Sequence, residues 1–164
     1  METRWLTEDE RAAWLRLVAV VELLPGILDS QLQADAGLTH FEYFVVAMLS
    51  EAPERTLRMT ALAGRTNASL PRLSHVVRRL EARGLVARTP CPEDRRATNA
   101  RLTDRGWELV VAAAPGHVET VRRYVVDPLT PRQVDELRDI AGTLLTRLDP
   151  QGLLTPTDEQ SLDS

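Results

Sequence analysis

Three features predict a mainly α fold with a small β-hairpin wing. Apolar positions recur at helical spacing near both ends of the chain, a short helix, a turn and a basic helix follow one another in the middle, and an arginine-rich hairpin pattern comes directly after them. Together they describe a winged helix-turn-helix with N- and C-terminal dimerisation helices.

From Thr7 to about Asp35, Leu17, Val21, Leu24, Leu28 and Leu32 recur every three or four residues and mark one helical face. Pro25 and Gly26 are expected to kink this helix, and Gly37 to stop it. Thr39 is placed to cap the next helix, His40 to about Glu51, which Ala52-Pro53 ends. An extended piece around Thr56–Arg58 precedes a brief helix from Thr60, the turn Asn67-Ala68 and a capping Ser69. In the helix that follows, Leu70, Leu73, Val77 and Leu80 form an apolar stripe, Arg72, Ser74, His75, Arg78 and Arg79 point elsewhere, and Gly84 supplies the C-terminal cap.

Two strands, Leu85–Arg88 and Asn99–Leu102, are expected to flank an exposed loop, Thr89–Thr98. Thr103 and Asp104 begin a helix with the acid in its first turn, and Pro115-Gly116 is expected to bend or break it. Thr130 to Gln133 reads as a capping box with proline at the first helical position. Val134, Leu137, Ala141, Leu144 and Leu148 then step by three and four as a seam. Two such seams, one at each end, exceed what a small winged-helix core covers, which points to pairing with a second chain. The organisation expected is an N-terminal dimerisation helix over residues 1–37, a winged helix-turn-helix over 38–103, C-terminal dimerisation helices over 104–148 and a disordered tail over 149–164.

The bulk chemistry narrows the function. The N-terminus is charged, and the longest apolar run, Val18–Leu28, is interrupted by Glu22, Pro25 and Gly26, so neither a signal peptide nor a membrane span is expected and the protein is read as soluble and cytoplasmic. Cys91 is the single cysteine, which excludes an intramolecular disulfide framework and argues against a structural metal. His40, His75 and His117 fall on three different helices with no ligand spacing, and no glycine-rich phosphate loop is present. Neither a cofactor nor an enzyme is indicated. Charge, in contrast, is informative. Between Arg55 and Arg105 twelve arginines face four acids, a local charge of +8 inside a chain whose net charge is −4. A basic helix followed by a basic hairpin is a surface for a polyanion.

Four stretches, in this order, resemble the MarR (multiple antibiotic resistance regulator) family of winged-helix transcription factors. They are Leu38–Pro53, Arg78–Arg88 running from the recognition helix into the wing, Glu93–Gly106 with its Asp-x-Arg tip, and Leu129–Leu148. The resemblance implies a homodimer that binds double-stranded DNA at an inverted repeat, as a repressor released by a small aromatic or phenolic effector. It implies that Asp94 orients Arg96 into the minor groove and that Ser69, Arg72, Ser74 and His75 face phosphates and bases. Arg78 joins them on charge and position, while Arg65, Arg88, Arg95 and Arg101 are expected to meet phosphates. Arg79 is expected to be held internally, by Glu81 or a backbone carbonyl. For an effector pocket the candidates are Trp14, His40 and Tyr43, with Phe41 and Phe44 assigned to the core. Two other readings stand beside this one: a winged helix that binds protein instead of DNA, and a redox-responsive regulator acting through Cys91 at the wing tip, where nearby arginines favour the thiolate.

Overall fold

The computed structural model describes residues 2–154. Helix α1 (Glu8–Ala36) opens with a reciprocal cap, Thr7 Oγ1 accepting from the Glu10 amide at 3.2 Å while Glu10 Oε2 accepts from the Thr7 amide at 2.8 Å. It runs through Pro25 and Gly26 as one helix and ends at Gly37, whose φ of +61° turns the chain. Helix α2 (His40–Glu51) repeats the device with Thr39 and Glu42. Strand β1 (Thr56–Arg58) leads into α3 (Met59–Arg65). Helix α4 (Leu70–Ala82) is capped by Ser69 and closed at Gly84, φ +71°.

The hairpin is longer than its composition suggested. Strand β2 spans Val86–Cys91 and β3 spans Asp94–Leu102, so the expected loop Thr89–Thr98 is mostly strand, with Arg95, Arg96 and Ala97 outside the pairing register and a two-residue turn at Pro92-Glu93. All pairing is antiparallel in the order β1-β3-β2, which makes β2 an edge strand. Prolines that signal a loop are tolerated there because an edge strand has one side unpaired, and the register shifts between Pro90 and Cys91 where Pro90 lacks an amide hydrogen. Leu49, Leu62, Leu73, Val77, Leu80 and Leu102 fill the core between α2, α3, α4 and the sheet. Leu70 does not join the buried stripe. As the first residue of α4 it lies beyond the core edge and stays 45% exposed, while Val76 is buried.

Helix α5 (Asp104–Val121) is unbroken, contrary to the expectation at Pro115-Gly116. The glycine serves helix packing instead. A Cβ on Gly116 would lie 2.5 Å from Asp35 Oδ2 and 3.2 Å from Gln31 Nε2, so its absence lets α1 and α5 meet. A π turn, Arg122–Val126, follows, tied by an Arg122–Asp127 ion pair at 2.6 Å. Helix α6 (Pro131–Leu148) has the capping box read at Thr130 and Gln133, and no residue on it is buried. No helix among the described residues is long and apolar enough to cross a membrane. Of the tail read as disordered, residues 149–154 form a turn in which the Asp149 carboxylate accepts from the Leu153 and Leu154 amides at 3.0 and 2.8 Å. Residues 155–164 lie outside those described.

Candidate nucleic-acid interface

Helix α4 presents its polar side opposite the core, because its buried positions Leu73, Val76, Val77 and Leu80 recur at three to four residues. Arg72, His75 and Arg78 are exposed and Ser74 is half-buried. Ser69 Oγ accepts from the Arg72 amide at 3.4 Å, and the Arg72 guanidinium stacks on Phe41 of α2, 4.1 Å from the ring centroid. Phe41 is therefore half-buried and also orients a basic side chain, a role beyond the core packing assigned to it.

Across from α4, Ser74, Arg96, Arg88, Leu70, Thr98 and Arg58 line one cleft of about 190 Å³ between the helix and the wing. Asp94 Oδ1 accepts from the Arg96 backbone amide at 3.0 Å, a two-residue bond that sets the strand's exit from the turn and leaves the Arg96 guanidinium free. Arg65, Arg78, Arg95, Arg96 and Arg101 make no side-chain hydrogen bond or ion pair among the described residues. Arg101 lies apart from the cleft, beside Glu54, Arg55 and Asp104 at the base of the sheet.

Other arginines are engaged within the fold. Arg88, assigned above to phosphate, donates to Glu81 Oε2 through Nε at 3.0 Å and Nη2 at 2.7 Å. Those bonds hold the Glu81 carboxyl below its ordinary pKa, and Arg88 braces β2 against α4. Arg79 is held internally as expected, but by Glu42, 3.1 Å away and 3% exposed. Glu42 thereby caps α2 and anchors α4 at once, which local spacing does not reveal. Arg83 donates to the Gly37 and Ala36 carbonyls at 2.9 and 3.4 Å and closes the C-terminus of α1.

The MarR family's sequence signature matches residues 38–98. A MarR family transcriptional regulator from Streptomyces coelicolor, Sco3205, solved in complex with DNA, is 45% identical, with a TM-score of 0.87 over 92% of this chain and 94% of that one. The chain belongs to the MarR family. A second MarR regulator from the same organism, AbsC, is 40% identical, with a TM-score of 0.85 over 91% of this chain and all of that one. The Bacillus subtilis regulator YdcH is 32% identical over 84 residues, half of this chain and 57% of YdcH. This MarR chain is thus a transcriptional regulator by family.

The three residues named for an effector pocket do not converge within the chain. Tyr43 is buried at 8% exposure against His117 of α5, ring centroids 4.8 Å apart, and His40 lies nearby with its amide donating to Asp29 Oδ1 at 2.8 Å. Trp14 stands on α1, fifteen residues before Asp29 and so roughly 22 Å along the helix, 55% exposed. Around the first two, Gln31 Oε1 and His117 Nδ1 are buried without a protein partner. Burial lowers the pKa of both histidines, opposed at His40 by Asp29 and reinforced at His117 by His40. A folded-state pKa below the unfolded value of 6.5 means that the unfolded chain takes up protons first as pH falls. Stability is then full above that value and declines below it. Melting temperature is expected to fall between about pH 7.5 and about pH 5.5, and His117→Gln to flatten that dependence. A melting temperature independent of pH in wild type contradicts this.

Proposed function

We propose that this MarR-family regulator acts as a cytoplasmic homodimer that binds double-stranded DNA at an inverted repeat and represses by occupying it. The observation that carries the reading is the cleft where Ser74 of α4 faces Arg96 of the wing, whose guanidinium has no protein partner among the described residues, while Arg58 and Arg88 in the same lining are bonded within the fold. Ser69, Arg72, Ser74, His75 and Arg78 read the major groove and its phosphates. Arg96, aimed by Asp94, enters the minor groove, while Arg65, Arg95 and Arg101 meet phosphate. Arg88 contributes through the α4–wing brace. Half-sites are spaced by about one helical turn, roughly 10 bp. A small aromatic or phenolic effector is assigned to the polar junction of α1, α2 and α5 at His40 and Tyr43, on the support of the buried, unpartnered Gln31 Oε1 and His117 Nδ1. Bound there, between the dimer helices and the DNA-binding region, it weakens DNA binding.

Titrations on a duplex selected from a random pool, at several salt concentrations, test the assignment. Arg96→Ala is expected to weaken binding by about 1–3 kcal/mol and to relax preference beneath the wing only. Asp94→Ala is expected to weaken it as well, although it removes a negative charge, because the bond that sets Arg96 is lost. Arg95→Ala weakens all sequences alike and lowers the salt slope by about 1. Unchanged affinity for Arg96→Ala with tighter binding for Asp94→Ala overturns the minor-groove role. Repeating the wild-type titration with phenolic acids present tests the effector; a panel that leaves affinity unchanged argues against it.

A further inference from the structure

The wing tip extends beyond the part of the sheet that supports it. Strand β1 pairs only with Asn99–Arg101, so from Thr98 to the turn the hairpin is a two-stranded ribbon. Such a ribbon is marginally stable by itself in water. A basic residue outside the recognition helix and wing reaches it. Arg58 ends β1 and immediately precedes α3, and Cys91 ends β2 on the far side of β3. Strands two places apart are separated by roughly 9.5 Å. The extended arginine spans that width, and Nη2 donates to Cys91 Sγ at 3.3 Å. Cys91 Sγ donates in turn to Glu93 Oε2, in the turn itself, at 3.3 Å. Glu93 and Asp94 both act electrostatically on the same guanidinium. The tie from β1 therefore ends at Glu93, next to Asp94, whose carboxylate fixes the Arg96 amide.

We propose that Arg58 is a wing-positioning residue, tying the hairpin tip through Cys91 and the turn carboxylates to the start of α3 and so setting where Arg96 points. Its consequence for DNA rests on the reading above, whereas the tether itself does not. A phosphate contact is the bland alternative for an exposed arginine. Here one guanidinium nitrogen is committed to the Cys91 sulfur, which disfavours it.

Hydrogen exchange in the free protein reads the tether without DNA. In Arg58→Ala the amides of Cys91–Ala97 are expected to exchange about tenfold faster, with α2 unchanged, as loss of a charge-assisted bond implies. Cys91→Ala is expected to do the same, and the double variant to add little, because each change removes the same link. Arg58→Lys, which keeps the charge but not the planar donors, falls between wild type and Arg58→Ala. With DNA, Arg58→Ala relaxes preference beneath the wing, as Arg96→Ala does, at an unchanged salt slope. Unchanged exchange in both single variants overturns the proposal, and a salt slope lowered by about 1 without faster exchange makes Arg58 a phosphate contact instead. Faster exchange in both single variants, together with a wild-type protein that binds no DNA, upholds the tether and overturns only the DNA reading.

Discussion

Ile140→Asp is expected to convert the protein from dimer to monomer at micromolar concentration and to remove specific DNA binding with it. The reason lies in what α1 and α6 leave uncovered. Val20, Val21 and Leu23 are 55, 59 and 67% exposed, and Leu137, Ile140 and Leu144 are 45, 60 and 43% exposed. Between the two helices runs a groove of about 540 Å³ lined by Val20, Leu23, Ile27, Leu137 and Ile140. Exposed apolar side chains gathered along one groove are what a second copy of the chain would cover, and the expected result rests on them. Burying one isoleucine is worth about 1.5–3 kcal/mol, and a two-fold axis counts it twice. With a carboxylate introduced into the contact, a weakening of the dimer by about 10³-fold or more follows. Sedimentation equilibrium measures it. A variant that remains dimeric, or one that is monomeric yet binds the selected duplex as wild type does, sinks the two-fold model.

Gly106→Ala is expected to destabilise the protein by about 3 kcal/mol, at the upper end for overpacking. Gly106 lies in the first turn of α5, its amide donating to Thr103 Oγ1 at 3.0 Å. A Cβ there overlaps the Leu85 carbonyl oxygen and comes within 2.6 Å of Leu102 Cδ1. That carbonyl already accepts from the Thr103 amide and hydroxyl, both at 3.1 Å, so it cannot move without loosening the junction of wing and α5. Gly84→Ala is the instructive contrast, because its φ of +71° costs about 1 kcal/mol for any L side chain and no atom comes closer than 3.8 Å. Thermal melts of both variants test the order. Equal melting temperatures contradict it.

The contrast between these two glycines marks the boundary of what a linear reading reaches. Gly84 is recognisable because it follows a helix, and the caps at Thr39, Ser69 and Thr130 are recognisable because a hydroxyl acts on an amide three residues away. The order of helices, the basic face of α4 and the concentration of arginine between Arg55 and Arg105 were legible for the same reason: each depends on near neighbours or on composition. Gly106 was not, since its close neighbours come from Leu85 and Leu102, brought against it by the sheet.

The same division separates the arginines. Sequence by itself determined that this region is basic and that Asp94 and Arg96 stand near the hairpin tip. Only the tertiary structure decided which cations stay free. Arg79 meets Glu42 and Arg88 meets Glu81, while Arg58 reaches Cys91 and Arg96 keeps its guanidinium unpaired. Pairing also overrode local punctuation: Pro90 remains in an edge strand, and Pro115 remains in a helix beside a glycine that α1 requires. Propensity acts over one turn of chain, whereas an ion pair, a strand register or a helix contact is settled between segments that meet only once the core has closed.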